Sequence, residues 1–175
     1  MRSFIIALAA ACALATPAFA ACDLTPIIGA PATAVVGQNV VVTLDMANNG
    51  DTACAGTDTN PNGYMVDLFL STDRTGPSTW AVYAPAWHED VLLLGGRISR
   101  TTTLAAHATI RYSVANPSAA SFKLPAGTTP GSYFLCAGMD MGNRVTESNE
   151  RNNVACNPIA ITAPFHLDTS HLPRP

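Results

Sequence analysis

Apolar residues recur at every second position along this chain, in short runs divided by turn residues, and that period allows only strands. Val40, Val42, Leu44 and Met46 alternate with Val41, Thr43 and Asp45 before Asn48-Asn49-Gly50 breaks the run. Tyr64, Val66, Leu68 and Leu70 alternate with Met65, Asp67 and Phe69, and Ser71-Thr72-Asp73 ends that stretch. Ile110, Tyr112 and Val114 repeat the pattern, as do Tyr133, Leu135, Ala137 and Met139. Such alternation presents one apolar face per strand. Leu24 to Ile28, Val91 to Leu94, Arg97 to Leu104 and Val154 to Ile161 are shorter candidates, which makes seven or eight strands. No segment offers an amphipathic helix, because Asn116-Pro117 interrupts the alanine-rich stretch from Ala115 to Ala120. One-sided strands must bury their faces against one another. The expected fold is all-β: an immunoglobulin-like β-sandwich of seven to eight antiparallel strands.

One stretch departs from the pattern. Residues 1–20 carry Arg2, an apolar run from Phe4 to Ala15, the breaker Pro17 and a small-x-small site at Ala18-Phe19-Ala20. That order reads as a secretory signal peptide cleaved after Ala20, and the run is too short to span a bilayer. The remainder is one domain's worth of chain. Domain boundaries are therefore expected at 1–20 for the leader, 21–162 for the sandwich and 163–175 for a loose, proline-containing tail. Phe19-Ala20-Ala21-Cys22 also resembles a lipoprotein box, but a lipid anchor on Cys22 would strand an odd thiol, so Cys22 is read as unmodified. The expected location is secreted or periplasmic.

Only 12% of the 175 residues are charged and the formal net charge is −3. Lys123 is the one lysine and no basic run occurs. Nucleic-acid binding through phosphate neutralisation is thereby disfavoured, and so is disorder, which needs low hydrophobicity with high charge.

Several stretches taken in order resemble one family. They are Asp23-Leu24-Thr25; Ala34-Val35-Val36-Gly37-Gln38; Asn48-Asn49-Gly50; Leu68-Phe69-Leu70-Ser71-Thr72-Asp73; Leu124-Pro125-Ala126-Gly127; Pro130-Gly131-Ser132-Tyr133; and the run Val145-Thr146-Glu147-Ser148-Asn149-Glu150-Arg151-Asn152-Asn153. Together, from about Asp23 to Thr162, they resemble the CARDB domain, the cell adhesion related domain found in bacteria. The resemblance implies a seven-stranded immunoglobulin-like sandwich, a non-catalytic module of bacterial surface and secreted proteins without an agreed ligand. Thr75 to Asp90 is longer and more aromatic than the family pattern, and Asn116 to Ser121 looks inserted.

Outside the leader the cysteines are Cys22, Cys54, Cys136 and Cys156. An even number in an exported chain reads as two disulfides. In such a sandwich the start of the first strand lies near the end of the second, which brings Cys22 to Cys54. The last two strands form a hairpin, and Cys136 and Cys156 stand equally far from its loop near Thr146, so they oppose each other. The bridge joining the two sheets of immunoglobulins is not expected, because the second strand holds no cysteine. Zinc is the rival for four cysteines, but no C-x-x-C pair occurs.

The richest polar cluster is the loop carrying Asp140, Asn143, Glu147, Ser148, Asn149, Glu150, Asn152 and Asn153. It is read as structural, its side chains capping their own backbone and Glu147 or Glu150 pairing Arg144 or Arg151. Calcium held by Asp140, Asn143, Glu147 and Glu150 is the alternative, since hard oxygens suit that ion. No other cofactor is expected. His88-Glu89-Asp90 lacks the second histidine of a zinc-protease helix, with Leu92 in its place, and no G-x-S-x-G occurs. Gly95-Gly96 is read as a strand-to-strand turn. His166, Asp168 and His171 fall in the tail. Trp80, Tyr83 and Trp87 cluster in a proline-containing connection, either as a plug over one end of the sandwich or as an exposed binding surface.

No catalytic constellation emerges, so the chain is expected not to be an enzyme. The leading expectation is an exported protein-interaction or adhesion-type module with a protein or cell-surface glycan partner. The alternatives are an accessory or inhibitory subunit of an exported enzyme, and a carbohydrate-binding module using Trp80 and Trp87.

Overall fold

A computed structural model describes residues 21–77, 90–112 and 122–164. These contain no helix and ten strands: β1 (Leu24–Gly29), β2 (Thr33–Val35), β3 (Asn39–Val40), β4 (Thr43–Asn48), β5 (Val66–Ser71), β6 (Val91–Ile98), β7 (Thr109–Tyr112), β8 (Phe122–Lys123), β9 (Gly131–Met139) and β10 (Val154–Thr162). They form two sheets. The smaller has the order β1-β4-β7 and the larger β2-β10-β9-β5-β6-β8-β3. Leader, tail beyond residue 164 and the aromatic cluster Trp80, Tyr83 and Trp87 lie outside the described residues, as do His88, Glu89, Val114 and the 115–120 stretch.

Alternation decides which residues enter the space between the sheets. Val40, Val42, Leu44 and Met46 are buried, whereas Val41 is 72% exposed. Val66, Leu68 and Leu70 of β5 meet Leu135, Ala137 and Met139 of β9, Leu93 and Ile98 of β6, and Leu24 and Ile28 of β1 in one core. At roughly 25 cal/mol per Å² of apolar surface removed from water, these contacts dominate the driving force for folding.

Four expectations are corrected. Strand β5 is buried on both faces, Asp67 and Phe69 included. It lies in the middle of the larger sheet, and Met141 and Gly76 cover the outer side of Phe69, so period two cannot register on it. Gly95-Gly96 is not a turn between strands but lies inside β6, where the pairing with β5 shifts register between Asp67 and Phe69. Gly95 takes φ 78°, and a Cβ on Gly96 would stand 2.5 Å from the Leu68 carbonyl oxygen, so both positions suit glycine. The run from Arg97 stays in β6 only to Ile98, and Leu104 forms a lone bridge with Cys54. Finally, β2 runs parallel to β10, so the strands are not all antiparallel.

The hairpin of β9 and β10 has the register expected from its sequence, with Cys136 directly opposite Cys156. Disulfides join Cys22 to Cys54 and Cys136 to Cys156. The second links neighbouring strands of one sheet.

Candidate functional site

The polar loop between β9 and β10 begins at Asp140, which leaves the strand with φ 47°. Its Oδ2 accepts the main-chain N–H of Arg144 at 2.9 Å and of Val145 at 2.7 Å, closing a tight turn that also holds Asn143 at φ 46°. Burial pushes the Asp140 carboxyl above its usual range, and the two N–H groups oppose that effect. Farther along, Glu150 Oε1 accepts the N–H of Glu147, and Asn149 Oδ1 accepts that of Arg151. The loop side chains do cap their own backbone, as expected.

What they reach beyond the loop was not legible. Glu147 is 8% exposed, and its carboxylate joins distant parts of the chain. Oε2 accepts the Leu24 N–H at 2.5 Å, and Oε1 accepts from Asn153 Nδ2 at 2.6 Å. Ser148 N–H donates to the Cys22 carbonyl. Asn152 Nδ2 donates to Asp23 Oδ1 at 2.7 Å and to Thr25 Oγ1 at 2.9 Å. Burial pushes Glu147 up to about 7, and the charges of Glu150 and Asp140 add to the rise. The expected ion pair between Glu147 or Glu150 and an arginine is not formed: among the described residues the ion pairs are Arg97–Asp67, Arg111–Asp45 and His107–Asp51. Glu147 is turned inward, and its two oxygens are taken by the Leu24 N–H and the Asn153 amide.

A second set of bonds grips the same N-terminal segment from the opposite side. Asn48, 1% exposed at the end of β4, accepts the N–H groups of Asp23 and Gly50 on Oδ1. Its Nδ2 donates toward the carbonyls of Thr52, Leu104 and Ala105. Gly50 lies so close beneath the segment that a Cβ there would stand 2.7 Å from the Asp23 nitrogen. Sequence reasoning took Asn48 for an ordinary turn residue. An asparagine closing an alternating strand was its one signal. The Asp67–Arg97 pair, bidentate at 2.8 Å on both arms, was also missed, although a carboxylate between Val66 and Leu68 marks it.

Residues 21–25 are thus clamped between the loops 48–54 and 147–153, with the Cys22–Cys54 bridge inside the clamp. Both Glu147 oxygens, and one oxygen each of Asp140 and Glu150, are engaged by N–H donors. Among the described residues no three His, Cys, Asp or Glu side chains are placed to share one metal ion. The arrangement's evident chemistry is mechanical: it fixes the first strand.

The CARDB family model matches residues 21–157. No curated protein matches the sequence. Among solved structures, a crystal structure of the CARDB domain of a Pyrococcus furiosus protein in complex with di-metal ions is 18% identical; the match covers 83% of this chain and 98% of that one, with a TM-score of 0.43. The solution structure of the same domain is 19% identical over 81% and 96%, at 0.41. A β-glucosidase from Listeria innocua in complex with glucose is 15% identical, with 83% of this chain matched to 17% of that enzyme, at 0.38. With the family model spanning the clamp, both disulfides and most of both sheets, this chain belongs to the CARDB family.

Proposed function

We propose that the chain is an exported, non-catalytic interaction module of adhesion type, built on an immunoglobulin-like sandwich. The observation that carries this reading is the CARDB match from residue 21, immediately after the expected leader. Two disulfides support it, because such bridges persist in oxidising compartments. So does the clamp, whose carboxylates serve the fold and leave recognition to the surface of a rigid frame. No helix of the described residues is long and apolar enough to cross a membrane.

A tagged chain expressed in its native host, fractionated, cross-linked and identified by mass spectrometry tests the proposal. The expected result is a periplasmic or extracellular product beginning at Ala21 and cross-linked to surface proteins or envelope glycans. Stoichiometric recovery with one exported enzyme would move the assignment to an accessory or inhibitory subunit. A cytoplasmic product with four reduced cysteines would overturn it.

A further inference from the structure

The two disulfides occupy unlike environments. Cys22 and Cys54, 4% and 0% exposed, belong to the apolar core between the sheets. Cys136 and Cys156 stand on the outer face of the larger sheet, outside that core: Cys136 is fully buried, while Cys156 is partly exposed. Part of their cover is the segment that follows β5. The Arg74 carbonyl oxygen lies 3.6 Å from Cys156 Sγ, the Arg74 guanidinium stands 4.7 Å above the Phe134 ring, and Gly76 rests near Phe69, Met141 and Val154.

The bridge also adds little to the pairing it spans. Strands β9 and β10 stay in unbroken register from Val154 opposite Gly138 to Ile161 opposite Gly131, with the cysteine pair inside that ladder. Opening the bridge leaves ladder pairs on both sides of it. Opening Cys22–Cys54 instead exposes core and loosens the clamped segment.

We propose that Cys136–Cys156 is a thiol–disulfide exchange site, opened at Cys156 by dithiol reductants while the fold and the Cys22–Cys54 bridge persist. A thiolate of the reductant attacks Sγ of Cys156, the partly exposed residue of the pair; a new S–S bond forms to Cys156, and Cys136 leaves with the electron pair of the broken bond. Phe134 and Cys136 share a face of β9, so the Arg74 guanidinium lies on the side where that thiolate forms before it takes a proton. The reductant's second thiolate then attacks its own sulfur in the mixed disulfide and releases Cys156. The dithiol ends as a disulfide, and the two cysteines end as thiols after gaining two electrons and two protons.

The test treats the folded, oxidised chain with graded dithiothreitol, traps free thiols with iodoacetamide, and maps the labels by mass spectrometry beside circular dichroism. Cys136 and Cys156 are expected to be labelled at least tenfold faster than Cys22 and Cys54, with the β-sheet signal unchanged. Glutathione, used as a monothiol probe, is expected to form its adduct on Cys156. Cys136→Ser gives a second readout, in which the remaining thiol at Cys156 reacts with an aromatic disulfide reagent in the folded state. Simultaneous opening of both bridges with loss of the sheet signal would overturn the proposal. So would earlier opening of Cys22–Cys54, or an adduct confined to Cys136.

Discussion

Glu147 Oε2 accepts the main-chain N–H of Leu24 at 2.5 Å, a contact between residues 123 positions apart. This bond ties the family's polar run to the beginning of the first strand. It also places an ionisable group where folding and protonation are linked. Burial raises the folded-state value from 4.5 to about 7. Between those values the folded chain binds a proton that the unfolded chain has released. The stabilising contribution is complete below about pH 4.5 and is lost as pH rises through about 7. Allowing about 1.4 kcal/mol per unit and discounting for solvent reaching the loop, the loss is about 2 kcal/mol. Asp140, raised by the same cause, adds a change of the same sign. Glu147→Gln is expected to flatten urea midpoints measured between about pH 5 and about pH 8. The new amide keeps the Leu24 bond, and Asn153 Oδ1, which has no partner in the native site, can turn to accept from it. An unchanged slope in the variant would assign the titration elsewhere.

Asn48 is expected to be the most sensitive polar residue of the clamp. Asn48→Ala leaves the Asp23 and Gly50 N–H groups and three carbonyls without their shared partner. A buried polar group left unsatisfied costs about 1–3 kcal/mol, so a loss of about 3 kcal/mol in urea denaturation is expected. Asn48→Asp keeps the acceptor but turns a carboxylate oxygen toward the carbonyls. Its deficit should therefore shrink on acidification, and an equal deficit at every pH would contradict this geometry.

The polar loop is expected not to be a metal centre. Its carboxylates are engaged by Leu24, Glu147, Arg144 and Val145 N–H groups and by the Asn153 amide. A calcium ion would have to displace both bonds of Glu147, and the single oxygens left on Asp140 and Glu150 fall short of the roughly six to eight ligands it takes; a ligand that binds only the native state raises the melting temperature by mass action. Equal melting temperatures in millimolar calcium and in chelator are expected. A calcium-dependent rise of several degrees, abolished by Glu150→Gln, would restore the metal assignment.

The elements that sequence made legible are those whose pattern is local. Alternation from Val40 to Met46 places the core residues correctly because Val41 faces solvent. Cys136 and Cys156 are legible because a hairpin's register follows from distance to its loop. The outer cover of β5 is not, since Phe69 is buried partly by Met141, 72 positions away in the chain. The parallel pairing of β2 with β10 depends on chain ends meeting across the fold, and Thr33–Val35 carries no mark of it. The polar loop is legible as a side-chain cap. Its grip on Leu24 is not, because an N–H donor in a distant strand leaves no trace in side-chain type.

Two ion pairs of like geometry should respond differently to the loss of their arginines. Arg97 grips Asp67, whose side chain is 4% exposed in the middle of the larger sheet; Arg111 grips Asp45 on the smaller sheet, with the arginine side chain 72% exposed. Removing one partner of a buried pair leaves a charge that water solvates poorly, whereas the Asp45 carboxylate, 20% exposed, is rehydrated more readily. Arg97→Met is expected to cost about 2 kcal/mol in urea denaturation, and adding Asp67→Asn should recover part of it by removing a buried charge that has lost its guanidinium. Arg111→Met should leave the urea midpoint unchanged within error. Methionine keeps much of the apolar stem in both cases, so the comparison isolates the guanidinium. Equal losses for the two arginine variants, or a double variant weaker than Arg97→Met alone, would show that burial of Asp67 does not set the strength of its pair.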